Sequence, residues 1–492
     1  MHTFFNTTTS RINCFALLAA AATVLFFSSW GTAPRRASLC QLAGEDAFHT
    51  TTSWHNLKIN GKQLRYKATA GYVSVNDSNH HSAKLFYTAY TAVQGKRPVT
   101  FVFNGGPGSS SIWLHMGSFG PVRAVPGKAG YTDNRDTWLG FTDLVFIDPA
   151  GTGYSRPDDG TDARRFYGYH EDIRAIGRFI QQYLSENNRQ NAPVFLAGES
   201  YGAARAVGLA AYLQDTLHTS LSGLTLISPA LDYRLITFNK GNDDAYPYYL
   251  PAYAAAAQYH HQLAPQLQAL NAALLNAKVS RFAFSAYSQF LKNGKNSAEV
   301  LDSLSYYTGI DKATLQALNG RLTDTRFTHL LLKNAHLQTG TYDSRISGNT
   351  NAADPSEALL RKTFPQSFQQ YIAQNLAYNN RLPYLATIAT PGWNYGPATS
   401  NGYLNVVPLL KNTLSKHPRL RVQVVSGTYD LATPPATVDT AVAAINASGV
   451  FNNRLQVHHY YAGHMLYTDD KANTQWKKDS ENFYQKTISA QI

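Results

Sequence analysis

The sequence is poor in cysteine, in charge and in long apolar runs. Two cysteines, Cys14 and Cys40, occur in 492 residues. Cys14 lies in the first apolar stretch, so removal of the N-terminus leaves at most one thiol and no intramolecular disulfide. A chain this long buries a large core without such staples, and the shortage therefore does not argue against export. Charged residues make up 15%, against about 25% in an average globular chain. With 12% aromatics, including 31 Tyr and 24 Phe, that scarcity excludes intrinsic disorder, which needs many charges and few aromatics. The composition also excludes a coiled coil, a collagen and a disulfide-rich miniature. The net charge is +12, but the basic residues are scattered and their longest clusters are pairs (Arg35-Arg36, Arg164-Arg165, Lys477-Lys478). That pattern is a solvated basic surface, and no nucleic-acid partner is expected. Beyond the N-terminus no segment has about 18 uninterrupted apolar residues, the minimum for a membrane span.

The N-terminus itself is patterned. A polar start ending at Arg11 precedes an apolar run from Ile12 to Phe27, followed by Ser-Ser-Trp-Gly-Thr-Ala. This order of regions predicts a secretory signal over residues 1–33, with Gly31 or Ala33 at the cleavage point and Pro34 disfavouring the latter. The residues before Cys40 make a poor lipoprotein site. Export to a periplasm or the exterior is expected, with no stable membrane partner once the signal is gone; an uncleaved anchor is the alternative.

After residue 50 the chain reads as an α/β domain. Leu57 to Val93 reads as hairpins, with Asn60-Gly61 as a two-residue turn and AKLFYTAYTAV alternating as a strand should. Short runs apolar on both faces follow at 98–103, 143–148, 192–198, 224–228 and 421–427, as parallel strands covered on both sides require. Helical periodicity lies between them, at Tyr167–Glu186, Gly202–Leu217 and Thr437–Ile445, and a last helix is expected from about Lys471 to Ser489. Strand, turn and helix in repetition predict an open, mostly parallel sheet with helices on both faces. Residues 241–385 interrupt the pattern with Ala/Leu/Gln-rich helical stretches such as 263–277, an Asn/Asp/Ser/Gly loop at 343–354, and no run resembling a buried strand. They are expected to form a helical cap inserted between the two parts of the domain, 50–240 and 386–492. The aromatic passage 246–253 fits an apolar pocket wall or, more simply, ordinary packing.

The strongest chemical signal is Gly198-Glu199-Ser200-Tyr201-Gly202, set between the apolar strand APVFLA and the helical stretch AARAVGLAAYLQ. A strand that enters a helix through so tight a turn pushes the Ser hydroxyl outward, and the flanking glycines permit the crowded backbone. The new helix aims its first amides at the site, so the amide of Tyr201 is placed to stabilise an oxyanion. A nucleophilic Ser needs a base, and the base an orienting acid. Asp430, at the end of the strand RVQVVSG, and His464, just after LQVHHYY, follow in that order. Their separation of 34 positions leaves room for one helix and one strand, as two consecutive strand-end loops require. Rivals are weaker: His458 and His459 lie within the strand, Asp232 follows LTLISPAL, and Asp148 precedes the Ser. A second Gly-rich element, Asn104-Gly-Gly-Pro-Gly-Ser-Ser-Ser111, follows the strand TFVF. It lacks the Gly-Lys-Ser/Thr of a phosphate loop and does not fit a dinucleotide fingerprint. At that place in an α/β hydrolase the turn supplies the second oxyanion amide, and Gly106 is the expected donor.

Together the elements Asn104-Gly-Gly-Pro-Gly-Ser-Ser, Asp148-Pro-Ala-Gly-Thr-Gly-Tyr-Ser155, Gly198-Glu-Ser-Tyr-Gly202, Gly427-Thr-Tyr-Asp430 and Gly463-His-Met465 resemble the serine carboxypeptidases, and in detail their bacterial members. The resemblance spans about residues 100 to 470. It implies an α/β-hydrolase fold with a helical cap, exopeptidase action on peptides with a free C-terminus, and no cofactor or metal. It also implies that Asn104 and Glu199 bind the substrate's C-terminal carboxylate. Two carboxylates repel unless one carries a proton, so Glu199 is expected to work protonated. Two positions depart from the family pattern: Ser118 stands where a further Glu is common, and Ser109 where a Cys is usual. The expected mechanism is attack by Ser200 with His464 as base, Asp430 as orienting acid, and an oxyanion held by the amides of Gly106 and Tyr201. A same-fold esterase or acyltransferase would use the same three residues, and a non-enzymatic binding protein on a hydrolase scaffold is the alternative of another class.

Overall fold

Two antiparallel hairpins and a parallel array make one sheet. The computed structural model describes residues 48–491, apart from 60, 77–81, 94, 129, 159, 294–296, 397–398 and 401; the expected signal segment and both cysteines lie outside the described residues. Strand β1 (Thr51–Ile59) pairs antiparallel with β2 (Lys62–Asn76), Ile59 facing Lys62. Only two residues connect them, and Gly61 takes φ +81°, which glycine adopts without a Cβ penalty. β2 pairs antiparallel with β3 (Ser82–Ala92). The parallel strands are β4 (Val99–Phe103), β5 (Asp143–Ile147), β6 (Val194–Glu199), β7 (Gly223–Ile227), β8 (Arg421–Gly427) and β9 (Leu455–Tyr460). In space the order is β1-β2-β3-β5-β4-β6-β7-β8-β9, and the two-residue strand Arg156–Pro157 pairs with β3.

All residues of β4, β5, β6 and β7 are buried, and the pleat sends alternate side chains to opposite faces. Phe101, Phe103, Val145, Leu196, Leu224 and Val424 meet helices α1 (Tyr169–Glu186) and α2 (Tyr201–Asp215) on one face. Val102, Leu144, Phe146, Phe195, Ala197 and Val425 meet Trp138, Trp476 and Tyr484 on the other. The α/β-hydrolase fold expected from the sequence is the one observed.

The segment 241–385 is mainly helical. Its first helix, α3 (Ala245–Tyr259), buries Tyr249, Leu250 and Tyr253 in a third core with Leu267, Leu275, Leu304, Leu315 and Phe327. Tyr253 stacks on Phe327 with centroids 4.1 Å apart, and none of the 246–253 aromatics lines the cavity at Ser200, so that passage is packing. Leu431, from the loop after β8, belongs to the same core and ties it to the sheet. Two details depart from the sequence reading. The stretch 263–277 is broken into Pro265–Gln268 and Ala272–Phe282, because the Asn271 side chain caps the second helix by accepting from the Leu274 amide. The stretch 343–354 contains a short strand, Ser347–Asn349, paired with Leu337–Thr339; strands this short carry no readable alternation. Helix α4 (Pro355–Asn375), capped by Asp354, follows. Helices α5 (Val407–Lys416), α6 (Pro435–Ile445) and α7 (Asp470–Ser489) complete the covering of the sheet.

Strand order decides where the chemistry gathers. β4 and β6 are neighbours, with Phe103 beside Gly198, so the turn after β4 and the turn after β6 meet at the same sheet edge. β8 and β9 are neighbours too, and their following loops carry Asp430 and His464 to that edge. Sites at the carboxyl ends of parallel strands are the rule for such sheets.

Candidate active site

Ser200 is the single residue between β6 and α2, and its backbone sits at φ 61°, ψ −124°. That is a costly conformation for a residue with a Cβ, on the order of 1–3 kcal/mol, and it holds the side chain out of both elements. The flanking glycines relieve this crowding, Gly198 most of all. A Cβ on Gly198 would overlap the Gly202 carbonyl, and one on Gly202 would press within 3.0 Å of the Phe103 carbonyl. The Ser200 amide donates to the Ile227 carbonyl at 2.9 Å, fixing the elbow to β7.

His464 is buried, and its Nδ1 lies 2.8 Å from Asp430 Oδ2. Asp430 is held in turn: its Oδ1 accepts from the amides of Ala432 (2.8 Å) and Thr433 (2.9 Å). The Thr433 hydroxyl lies 2.7 Å from Asp430 Oδ2 and 3.1 Å from His464 Nδ1. Burial works against the imidazolium, but the Asp430 carboxylate outweighs it and holds His464 above its ordinary value. With Nδ1 committed to Asp430, the other ring nitrogen is the one left to act as a base. His464 and Ser200 line one cavity of about 160 Å³, together with Asn104, Gly105, Gly106, Ser109, Glu199, Tyr342 and Met465.

The turn after β4 packs directly on the elbow. A Cβ on Gly105 would stand 2.5 Å from the Tyr201 nitrogen and 2.7 Å from the Glu199 carbonyl, so only glycine fits. Gly106 has φ +103°. Among the described residues neither the Gly106 nor the Tyr201 amide donates to a protein acceptor, and both belong to the turns that meet at this cavity. A clamp beneath them was not legible in the sequence. Arg205, fully buried on α2, donates to the Asn104 carbonyl at 2.6 Å and to Asp172 Oδ2 at 2.7 Å; Tyr201 Oη donates to the same Asp172 oxygen at 3.0 Å. The signal for it was a lone Arg within the apolar run AARAVGLAA.

Glu199 is buried at the cavity wall. Asn104 Nδ2 donates to its Oε1 at 3.0 Å, and Oε2 has no hydrogen-bond partner among the described residues. Desolvation pushes its carboxyl up to about 7, against the opposing pull of His464 and of the Tyr467 and Asn104 hydrogen bonds. Asn104 is itself fixed, its Oδ1 accepting from the Leu114 amide at 3.1 Å.

The rival residues are occupied elsewhere. Asp232 accepts from the Arg234 amide and from Asn405 Nδ2. His459 bridges Ser426 and Asp439, His458 stays within β9, and Asp148 accepts from the Ser111 amide and hydroxyl. Ser118 is buried and donates to Asn473 Oδ1 at 2.7 Å. Among the described residues no group of three or more His, Cys, Asp or Glu side chains is arranged to hold a metal ion.

Comparison with known proteins points to one family. A family model described as serine carboxypeptidase matches residues 59–335. The pheromone-processing carboxypeptidase KEX1 of Yarrowia lipolytica is 32% identical over 166 residues, 31% of this chain and 26% of that protein. The carboxypeptidase Y homolog of Arthroderma benhamiae is 28% identical over 166 residues, 33% of this chain and 32% of its own. These alignments span about a quarter to a third of the curated relatives. Among solved structures, the prohormone-processing carboxypeptidase KEX1(delta)p of Saccharomyces cerevisiae superposes with a TM-score of 0.59 at 16% identity, covering 86% of this chain and 91% of that one; at that identity the likeness speaks for the fold. The family match extends over more than half of the sequence and includes both glycine-rich turns, and by it the chain belongs to the serine carboxypeptidase family.

Proposed function

We propose that the protein is a serine-type carboxypeptidase that releases C-terminal amino acids from peptides with a free C-terminus. Ser200 Oγ attacks the last peptide carbonyl as His464 takes its proton, and the imidazolium is stabilised by Asp430. The oxyanion is held by the amides of Gly106 and Tyr201, each worth roughly 3 kcal/mol where such donors have been removed from other enzymes. His464 then delivers the proton to the departing amino group. Water, deprotonated by the same imidazole, hydrolyses the acyl-enzyme and regenerates Ser200. None of these steps calls on a cofactor.

The observation that carries the proposal is the buried Asn104–Glu199 pair at 3.0 Å, on the wall of the Ser200 cavity. Hydrolysis of a simple ester needs no such pair, whereas a substrate carboxylate finds there an amide donor and, when Glu199 is protonated, an acid donor. Ser118 does not supply the further Glu common in the family, but the pair remains. The helical segment 241–385 acts as a cap between domain parts 50–240 and 386–492, and residues 1–33 direct export to a periplasm or the exterior. Helix α4 contributes Glu357, Leu360 and Arg361 to the cavity lining, which supports the cap's part in shaping it.

The test compares one peptide as its free acid, its C-terminal amide and its C-terminal ester, with the released products identified. Preference for the free acid with liberation of the last amino acid is expected. Equal turnover of amide and acid would favour the esterase or acyltransferase reading. Failure of a fluorophosphonate to label Ser200 would favour a binding protein.

A further inference from the structure

Glu199 has one neighbour that neither the motifs nor the mechanism above accounts for. Tyr467 lies three residues after His464, in the middle of the short helix Leu466–Thr468, and is fully buried. Its hydroxyl donates to Glu199 Oε1 at 3.4 Å, the same oxygen that accepts from Asn104. The ring reaches that place only because residue 117 is glycine, since a Cβ there would overlap the Tyr467 ring. The next residue, Ser118, donates to Asn473 Oδ1 and makes no hydrogen bond to Glu199 among the described residues. This neighbour of Glu199 thus comes from the far end of the chain and is a phenol.

A carboxyl oxygen that accepts two hydrogen bonds is the carbonyl-like oxygen of the acid, so the proton belongs on the other one. We propose that Tyr467 is a positioning residue for substrate recognition: with Asn104 it occupies Oε1 of Glu199 and leaves Oε2 as the proton-bearing oxygen that meets the substrate's C-terminal carboxylate. This rests on the carboxypeptidase reading and deepens it. The Tyr467 bond also has a direction. A donor to the carboxylate favours its charged form, so Tyr467 lowers the pH at which Glu199 loses its proton, in keeping with its place among the groups that oppose the desolvation of Glu199.

The experiment measures KM against pH for a free-acid peptide and for the corresponding C-terminal ester, in the wild type and in Tyr467→Phe. Removing the hydroxyl is expected to move the alkaline rise in KM for the acid upward by about half a unit to one unit, the worth of one long hydrogen bond to a charged group. KM for the ester should stay unchanged. A purely structural tyrosine would alter both substrates alike and leave the pH of the rise where it was. Gly117→Ala, which keeps the hydroxyl but displaces the ring, gives a second measurement with the same expected shift should Tyr467→Phe not fold. An unmoved alkaline arm in a folded variant overturns the role of Tyr467. A wild type that does not distinguish acid from amide overturns the carboxypeptidase reading instead, so the two failures are separable.

Discussion

Glu199→Gln is the perturbation most closely determined by the structure. Burial pushes the Glu199 carboxyl up to about 7, the Tyr467 and Asn104 bonds and the His464 charge only partly opposing it. A carboxyl raised in this way is neutral below about pH 7 and charged above it. If only the neutral form accepts a substrate carboxylate, one unit above that value leaves about one enzyme in ten competent, and two units about one in a hundred. KM for a free-acid peptide should therefore rise roughly 100-fold between pH 5 and pH 9, equivalent to about 2.7 kcal/mol of binding. In the proposed mechanism His464, held above its ordinary value by Asp430 despite its burial, must be neutral to act, so kcat/KM also falls on the acid side and the profile is bell-shaped. The two groups interact, and the limbs belong to the pair. Glutamine presents a permanent donor where the acid had a titrating one, and the alkaline rise should vanish, leaving KM flat across the range. The cleanest assay is direct binding of the peptide to Ser200→Ala, with and without Glu199→Gln, by calorimetry at several pH values, because Kd is then free of turnover. A Glu199→Gln protein whose Kd rises with pH as steeply as its parent would refute the protonation argument.

Asp430→Asn should lower kcat by about 10⁴-fold with little change in KM, through loss of the partner that sets the His464 tautomer; steady-state kinetics on an ester check it. Gly105→Ala inserts a methyl group 2.5 Å from the Tyr201 nitrogen and should cost kcat about 10²- to 10³-fold by prising the two oxyanion turns apart, with fluorophosphonate labelling slowed in parallel. Arg205→Met leaves Asp172 buried without its cation and should destabilise the fold by about 3–5 kcal/mol in denaturant titration. Replacing Asp172 by Leu in the same protein should recover part of that loss.

The sheet and the elbow were legible because their signals are local. A strand buried on both faces must be apolar at successive positions, as in Val99–Phe103 and Val194–Phe195-Leu196-Ala197, and such runs read directly from the sequence. Ser200 could be placed because the strand before it, the helix after it and the two glycines around it are contiguous. The segment 241–385 was readable only as helical. Its Asn271 break and its Leu337–Asn349 hairpin rest on a cap and a pairing too short to leave a period.

By itself the sequence determined the strands, turns and helices, and the order in which Ser200, Asp430 and His464 leave the strand ends, since composition and spacing act one neighbourhood at a time. Only the tertiary structure decided what surrounds them. Glu199 and Tyr467 are 268 positions apart, and Asp172 and Arg205 come from different helices. Thr433 touches Asp430 and His464 together because β8 and β9 lie side by side. Above all, a Glu is an ordinary acid on paper; it is the withdrawal of water by the folded walls around it that raises the Glu199 carboxyl to about 7.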